Sequence, residues 1–251
     1  MSAPLPSALT HRLTHVSRAE MAKAEAVVGP EPEARRDQVL RVAEALFARR
    51  GLRGVGLREI AAKVGIRAPS LFKHFKSKHA LYNAVLLNIF HRLDEVAGRL
   101  DGARPFAARL EDFVGGYIDL VATDPHVVPL LFRELMERSE EMDPETRAAA
   151  SSIYLRLDVF LEAGQRAGAF RQVDRFRFQL ALTGAILYHS LAARPYQILV
   201  LNRASPPDRA AWKRTVLELA QGALLAPPAP PAPGATAPPA ALGSRVRNRR
   251  H

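Results

Sequence analysis

Along most of this chain, apolar side chains recur at the three- and four-residue intervals of a helix, and the strict alternation of a half-buried strand is missing. Val39, Val42, Ala43, Leu46 and Phe47 make one such face, and Gly51 beyond them is suited to end the helix. A longer stripe runs through Leu81, Val85, Ile89, Leu93, Val96 and Leu100, with Ser77 placed to cap its start. Asp124-Pro125, Asp143-Pro144 and Ser205-Pro206 each set a capping oxygen before a proline fit for a first helical turn. Gly168 should close the helix that Asp143 opens, and Asp174 should cap the next, from about Val173 to Ala193. The pattern predicts an all-α protein of roughly nine helices.

Both ends break this pattern. Residues 1–33 show no sustained period and read as a disordered extension, within which Met21 is an alternative start. Their opening lacks the apolar core of a secretory signal, and no apolar run approaches the ~20 residues that span a bilayer. Residues 226–251 begin with dense Pro and Ala, which favour a semi-extended linker, and finish in the basic RVRNRRH. The absence of cysteine excludes disulfides, thiolate metal sites and a cysteine nucleophile. Cytoplasm is the compartment expected.

Charge matters through its distribution. Residues 36–80 hold 11 Lys/Arg against 3 Asp/Glu, whereas residues 81–244 are almost balanced, at 17 against 18. A basic block confined to one compact segment points to a polyanion-facing surface. Within it, GLRGVGLREIAAKVGIRAPSLFKHFKSKH (51–79) reads as a short helix, a glycine-centred turn and a second short helix. Leu57, Ile60, Ala61 and Val64 line the first helix, Gly65 supplies the turn, and Ile66 fills the angle between the two. Pro69 fits the first turn of the second helix, where its missing N–H costs nothing. Leu71, Phe72 and Phe75 should pack inward or along the edge. Arg67, Ser70, Lys73 and His74 then face outward, with Lys76 and Lys78 extending the basic rim. Such groups can grip phosphates or base edges, so double-stranded DNA is the expected partner.

Residues 35–81 resemble the DNA-binding domain of the TetR family of transcriptional regulators, through VLRVAEALFARRG, LREIAAKVGI, APSLFKHF and KSKHAL. The resemblance implies a three-helix helix-turn-helix head over 34–94 and a homodimer whose recognition helices enter successive major grooves of a palindromic operator. It also implies that His74 and Lys78 bind phosphates while Arg67, Ser70 and Lys73 lie nearest the bases. Three positions depart from the family pattern. Gly56 stands where a capping Thr or Ser is common, Arg67 where a small hydroxyl residue often begins the recognition helix, and Phe72 where Tyr is frequent.

Residues 95–225 resemble the family's helical ligand-binding and dimerisation half in outline only, with AGAFRQVD leading into an apolar helix. That helix is apolar on nearly every face (Phe176, Phe178, Leu180, Leu182, Ile186, Leu187, Tyr188, Leu191), and a helix over 207–225 adds Trp212, Val216, Leu219, Ala220 and Ala223. A helix apolar all round must be covered on all sides. Either a monomer core or a four-helix dimer interface would do this, and the dimer is the expectation. Phe106, Phe113, Tyr117, His126, Phe132, Met136, Tyr154, Phe160 and His189 are candidates to line a pocket for a small apolar or aromatic inducer.

No phosphate-binding loop, metal-ligand spacing or catalytic set emerges. His11 and His15 lie in the N-terminal extension, and Glu140-Glu141 reads as a solvated helix end. Neither a cofactor, a metal nor an enzymatic activity is expected. The function expected is a DNA-binding repressor released by its ligand, with a non-inducible architectural DNA binder as the alternative.

Overall fold

The computed structural model describes residues 32–137, 142–200 and 208–225. The first 31 residues, the Glu140-Glu141 pair, Ser205-Pro206 and the Pro/Ala-rich tail with its basic end lie outside the described residues. Those described form nine α-helices and no strand. They are α1 (Pro32–Arg50), α2 (Leu57–Val64), α3 (Ala68–His74), α4 (Lys78–Ala97), α5 (Phe106–Thr123), α6 (Val127–Glu137), α7 (Pro144–Arg166), α8 (Arg175–Leu199) and α9 (Arg209–Leu225). No described helix is long and apolar enough to cross a membrane.

Helix ends follow the capping chemistry closely. Gly51 and Gly168 take positive φ, 70° and 69°, just past α1 and α7. Ser77 accepts from the Ala80 N–H at 3.0 Å, Asp143 from Thr146 at 2.8 Å and Asp174 from Arg177 at 3.0 Å. Each satisfies a donor that the first helical turn leaves unpaired.

Four boundaries differ from expectation. The sequence pattern extends the disordered N-terminal segment through residue 33, but α1 already includes Pro32 and Glu33, since proline is at home in a first turn. Asp124 accepts from the His126 N–H at 2.9 Å, yet α6 starts only at Val127, so Pro125 sits in the turn before the helix. Helix α8 runs to Leu199, past the expected end at Ala193, with Pro195 inside it. One proline removes a single ladder bond and bends a helix, and the Val200 N–H to Tyr196 carbonyl bond (2.9 Å) shows the winding resumed. The last helix begins at Arg209, two residues later than expected, where Asp208 accepts from the N–H groups of Ala210 and Ala211.

Helix α4 organises the packing. Leu81, Val85, Leu86 and Ile89 are fully buried. The helix packs most extensively on α7 and also meets α1 and α5. A short 3-10 turn, Gly98–Leu100, prolongs it and buries Leu100. Beyond it Phe106, Phe160 and Phe170 form an aromatic triangle with centroids 5.4–5.6 Å apart. Gly164 of α7 is pressed onto the Phe170 ring, and a Cβ there would overlap it. Gly164→Ala should therefore cost about 2 kcal/mol through overpacking. Thermal denaturation should show a melting point several degrees lower; an unchanged one would mean that Phe170 is not seated on Gly164.

Candidate nucleic-acid interface and ligand cavity

The basic segment folds as helix, turn and helix. Ile60, Ala61 and Val64 of α2 are buried, and Gly65 takes φ 77°, the left-handed turn that its lack of Cβ permits. Its N–H meets the Ala62 carbonyl at 3.1 Å, and that of Ile66 meets Ala61 at 2.9 Å, closing α2 before the chain reverses. Gly56 offers no side-chain cap at the other end. Leu71 (fully buried) and Phe75 anchor α3, with the Arg36 guanidinium 5.4 Å from the Phe75 ring.

This anchoring leaves one face of α3 outward. Arg67 and Lys73 are exposed, while Ser70, His74 and Lys78 are half-buried. Two carboxylates of the head are engaged elsewhere: Glu59 with Arg50 at 2.6 Å and Glu44 with Arg92 at 2.9 Å. Among the described residues Arg67, Lys73 and Lys78 have no carboxylate partner, so their charge is available to phosphates or guanine edges. Phe72 is 49% exposed on this same helix and does not enter the core. The seven-residue helix has too few faces to bury Leu71, Phe75 and Phe72 together.

Behind the head lies a cavity of about 480 Å³, bounded by α4 (Phe90, Leu93), α5 (Phe113, Tyr117), α6 (Leu131, Glu134, Leu135), α7 (Ala150, Ile153, Tyr154, Leu157) and α8 (Thr183, Leu187). Its walls are apolar, and Glu134 is its single charged lining group among the described residues. Burial pushes the Tyr117 hydroxyl pKa up strongly, with Tyr154 adding to the effect, and partial burial raises Tyr154 too. Both phenols therefore stay neutral, as polar tips in a greasy chamber.

Two family models match the chain: the tetR family of bacterial regulatory proteins over residues 39–85, and the tetracyclin repressor-like C-terminal domain over 107–219. The transcriptional repressor KstR2 of Rhodococcus jostii is 30% identical over 146 residues, 55% of this chain and 68% of that protein. The chain belongs to the TetR family. KstR2 of Mycolicibacterium smegmatis is 42% identical over 69 residues, 28% of this chain and only 32% of that protein. Among solved structures, AibR in complex with isovaleryl coenzyme A and operator DNA superposes with a TM-score of 0.61 at 19% identity, covering 74% of this chain and 97% of that one. KstR2 of Mycobacterium tuberculosis superposes at 0.58 with 21% identity, covering 76% and 94%. At these identities the superpositions describe shared fold.

In this TetR-family chain the nine pocket candidates separate. Phe113, Tyr117 and Tyr154 line the large cavity together. Phe106 and Phe160 join Phe170 in the aromatic triangle through tilted and edge-to-face contacts, and Phe160 also lines a separate cavity of about 400 Å³ with Leu100 and Arg109. Phe132 packs partly buried against the core and His126 sits half-buried in the turn before α6, both outside the 480 Å³ cavity. Met136 is 80% exposed and lies outside the 480 Å³ cavity. His189 lines a second cavity between α5, α6, α8 and α9.

Sequence reading missed the links between head and cavity. Arg92 of α4 pairs with Glu44 of α1 at 2.9 Å and also with Asp124 at the end of α5. Burial raises the Glu44 pKa, with Arg92 pulling against it. At Asp124 burial is outweighed by the His126 N–H and Arg92, and its pKa falls. Tyr82 donates to the Glu134 carboxylate at 2.6 Å while its ring meets Phe47 of α1 edge-on, centroids 5.1 Å apart. Arg133, beside Glu134, donates to the Arg49 carbonyl of α1 at 3.2 Å. Tyr82 and Glu134 are 52 residues apart, and no local pattern pairs them. Tyr82→Phe keeps the ring against Phe47 and removes the bond to Glu134. It should cost about 1.5 kcal/mol, read as a lower denaturant midpoint with unchanged slope. An unshifted midpoint would remove this contact from the account.

Proposed function

We propose that the protein is a cytoplasmic, non-enzymatic repressor that grips a palindromic operator as a homodimer and lets go when a small, largely apolar ligand fills the 480 Å³ cavity. Arg67, Ser70 and Lys73 read base edges, and His74 and Lys78 hold phosphates. The observation that carries this reading is the position of α6. One of its faces lines the cavity through Leu131, Glu134 and Leu135. The same stretch reaches the head through Glu134–Tyr82 and Arg133–Arg49. A ligand that binds one placement of α6 better than another shifts the heads with it.

Dimerisation is supported by apolar side chains left in solvent on the last two helices: Phe176 (70% exposed), Leu180 (53%), Tyr188 (67%) and Leu219 (63%). Their opposite faces are satisfied, with Phe178, Leu182, Ile186, Trp212 and Val216 buried. A second copy presenting the same two helices would cover the outer face.

The relatives support an inducer with an apolar body: AibR was captured with isovaleryl coenzyme A, and the M. tuberculosis KstR2 is described as a ketosteroid transcriptional regulator. Here no Lys or Arg lines the cavity among the described residues. A hydrocarbon or ring portion fits inside, and any strongly anionic portion belongs outside.

Binding-site selection from random duplexes followed by footprinting tests the reading. It should yield one palindrome, its half-sites about one helical turn (~34–36 Å) apart. Broad, salt-labile protection would instead identify an architectural DNA binder. Lys78→Ala should weaken all sequences alike and lower the salt slope by about one, while Arg67→Ala or Lys73→Ala should alter the preferred base. Unchanged base preference in both would place the reading face elsewhere.

A further inference from the structure

The second cavity, about 370 Å³, differs in chemistry from the first. Its inner wall is Trp212, 7% exposed, with the His189 imidazole stacked on the indole at 4.1 Å and 15° between planes. The indole Nε1 and the imidazole Nδ1 are both buried, and neither has a hydrogen-bond partner. Two unmet polar atoms side by side in one pocket wall are costly unless something meets them. Burial also depresses the His189 pKa, so the ring is neutral and its Nδ1 can carry the single ring proton. Arg194 and Arg209 stand at the rim, while Val128 and Pro129 supply apolar wall. Asp124 is the lining carboxylate, and it is already occupied by Arg92 and the His126 N–H.

We propose that this cavity is a second small-molecule site, selective for a small carboxylate with an apolar body. The indole N–H and the two guanidinium groups meet the carboxylate oxygens, and the apolar body rests on Val128 and Pro129. The first cavity cannot take this role, because its single charged lining group among the described residues is the carboxylate of Glu134. Arg209 is loosely held, 3.6 Å from Asp119, and Lys213 holds the same carboxylate at 2.6 Å, so Arg209 can turn to a ligand without stranding Asp119. The site's floor is also the junction that ties α4 to α1, through Asp124, Arg92 and Glu44. This proposal does not depend on repression or on the first cavity.

Trp212 is the single tryptophan of the chain, so its emission reports on this pocket directly. The full-length protein is titrated with sodium benzoate, and separately with benzyl alcohol as a neutral analogue of similar shape. Benzoate should produce a saturable change in emission, and benzyl alcohol should bind more weakly. In Arg194→Gln/Arg209→Gln, where both replaced side chains are exposed and Lys213 keeps Asp119 paired, the benzoate dissociation constant should rise about tenfold. Three results would each overturn the proposal: no saturable response, equal affinity for the alcohol, or an unchanged constant in the double variant. Operator binding measured on the same samples without benzoate reports on the repressor reading separately.

Discussion

The burial of one helix on two sides holds the molecule together. Leu81, Val85, Leu86 and Ile89 of α4 are wholly withdrawn from water between α1 on one flank and α5 and α7 on the other. Each such side chain contributes roughly 1.5–3 kcal/mol, so neither half can shed α4 cheaply. The DNA-facing head and the cavity wall are therefore built on one rigid piece. Arg92 reinforces the joint by holding Glu44 of α1 and Asp124 of α5 at once. Three charges this close and partly desolvated are stable only as a set, since removing one leaves the others stranded.

That constraint gives α6 its significance. Because α4 cannot easily separate from either half, a change in the cavity reaches the head as a shift of packed helices, and α6 touches both ends of the path. Glu134 has two duties: it is the charged spot in an apolar chamber, and it accepts from the Tyr82 hydroxyl, whose ring rests on Phe47. A ligand that alters the setting of Glu134 alters what supports α1. The 480 Å³ and 370 Å³ cavities also divide by charge, one apolar with a carboxylate, the other rimmed by guanidinium groups.

Much of this was legible from residue order, where the physics is local. Ser77, Asp143 and Asp174 declare their helices because a capping oxygen acts within three residues, and Gly51 and Gly168 declare stops because a positive φ suits glycine. The stripe Leu81 to Leu100 reads as buried because one helix face repeats at fixed spacing. Where the outcome depended on residues far along the chain, the reading ran out. The helix expected to end at Ala193 continues as α8 to Leu199, through Pro195. Phe106 and Phe160 meet Phe170 in an aromatic triangle that no local spacing shows. Tyr82 with Glu134, and His189 with Trp212, meet only in the folded chain. Their separate surroundings in sequence carry no trace of the pairing.

The central claim is that two copies of the head are held at a defined separation by the helices behind them. The chain has no cysteine, so a single one introduced at the exposed Lys76, beside α3, can carry a spin label at one known place per subunit. Pulsed dipolar spectroscopy on the complex with its selected duplex then measures the separation of the heads. The account predicts one narrow distance near a single turn of DNA, about 34–36 Å, that broadens or shifts when the duplex is removed. A sample bound to DNA with no dipolar coupling at all would contradict it, because each duplex would then carry only one head.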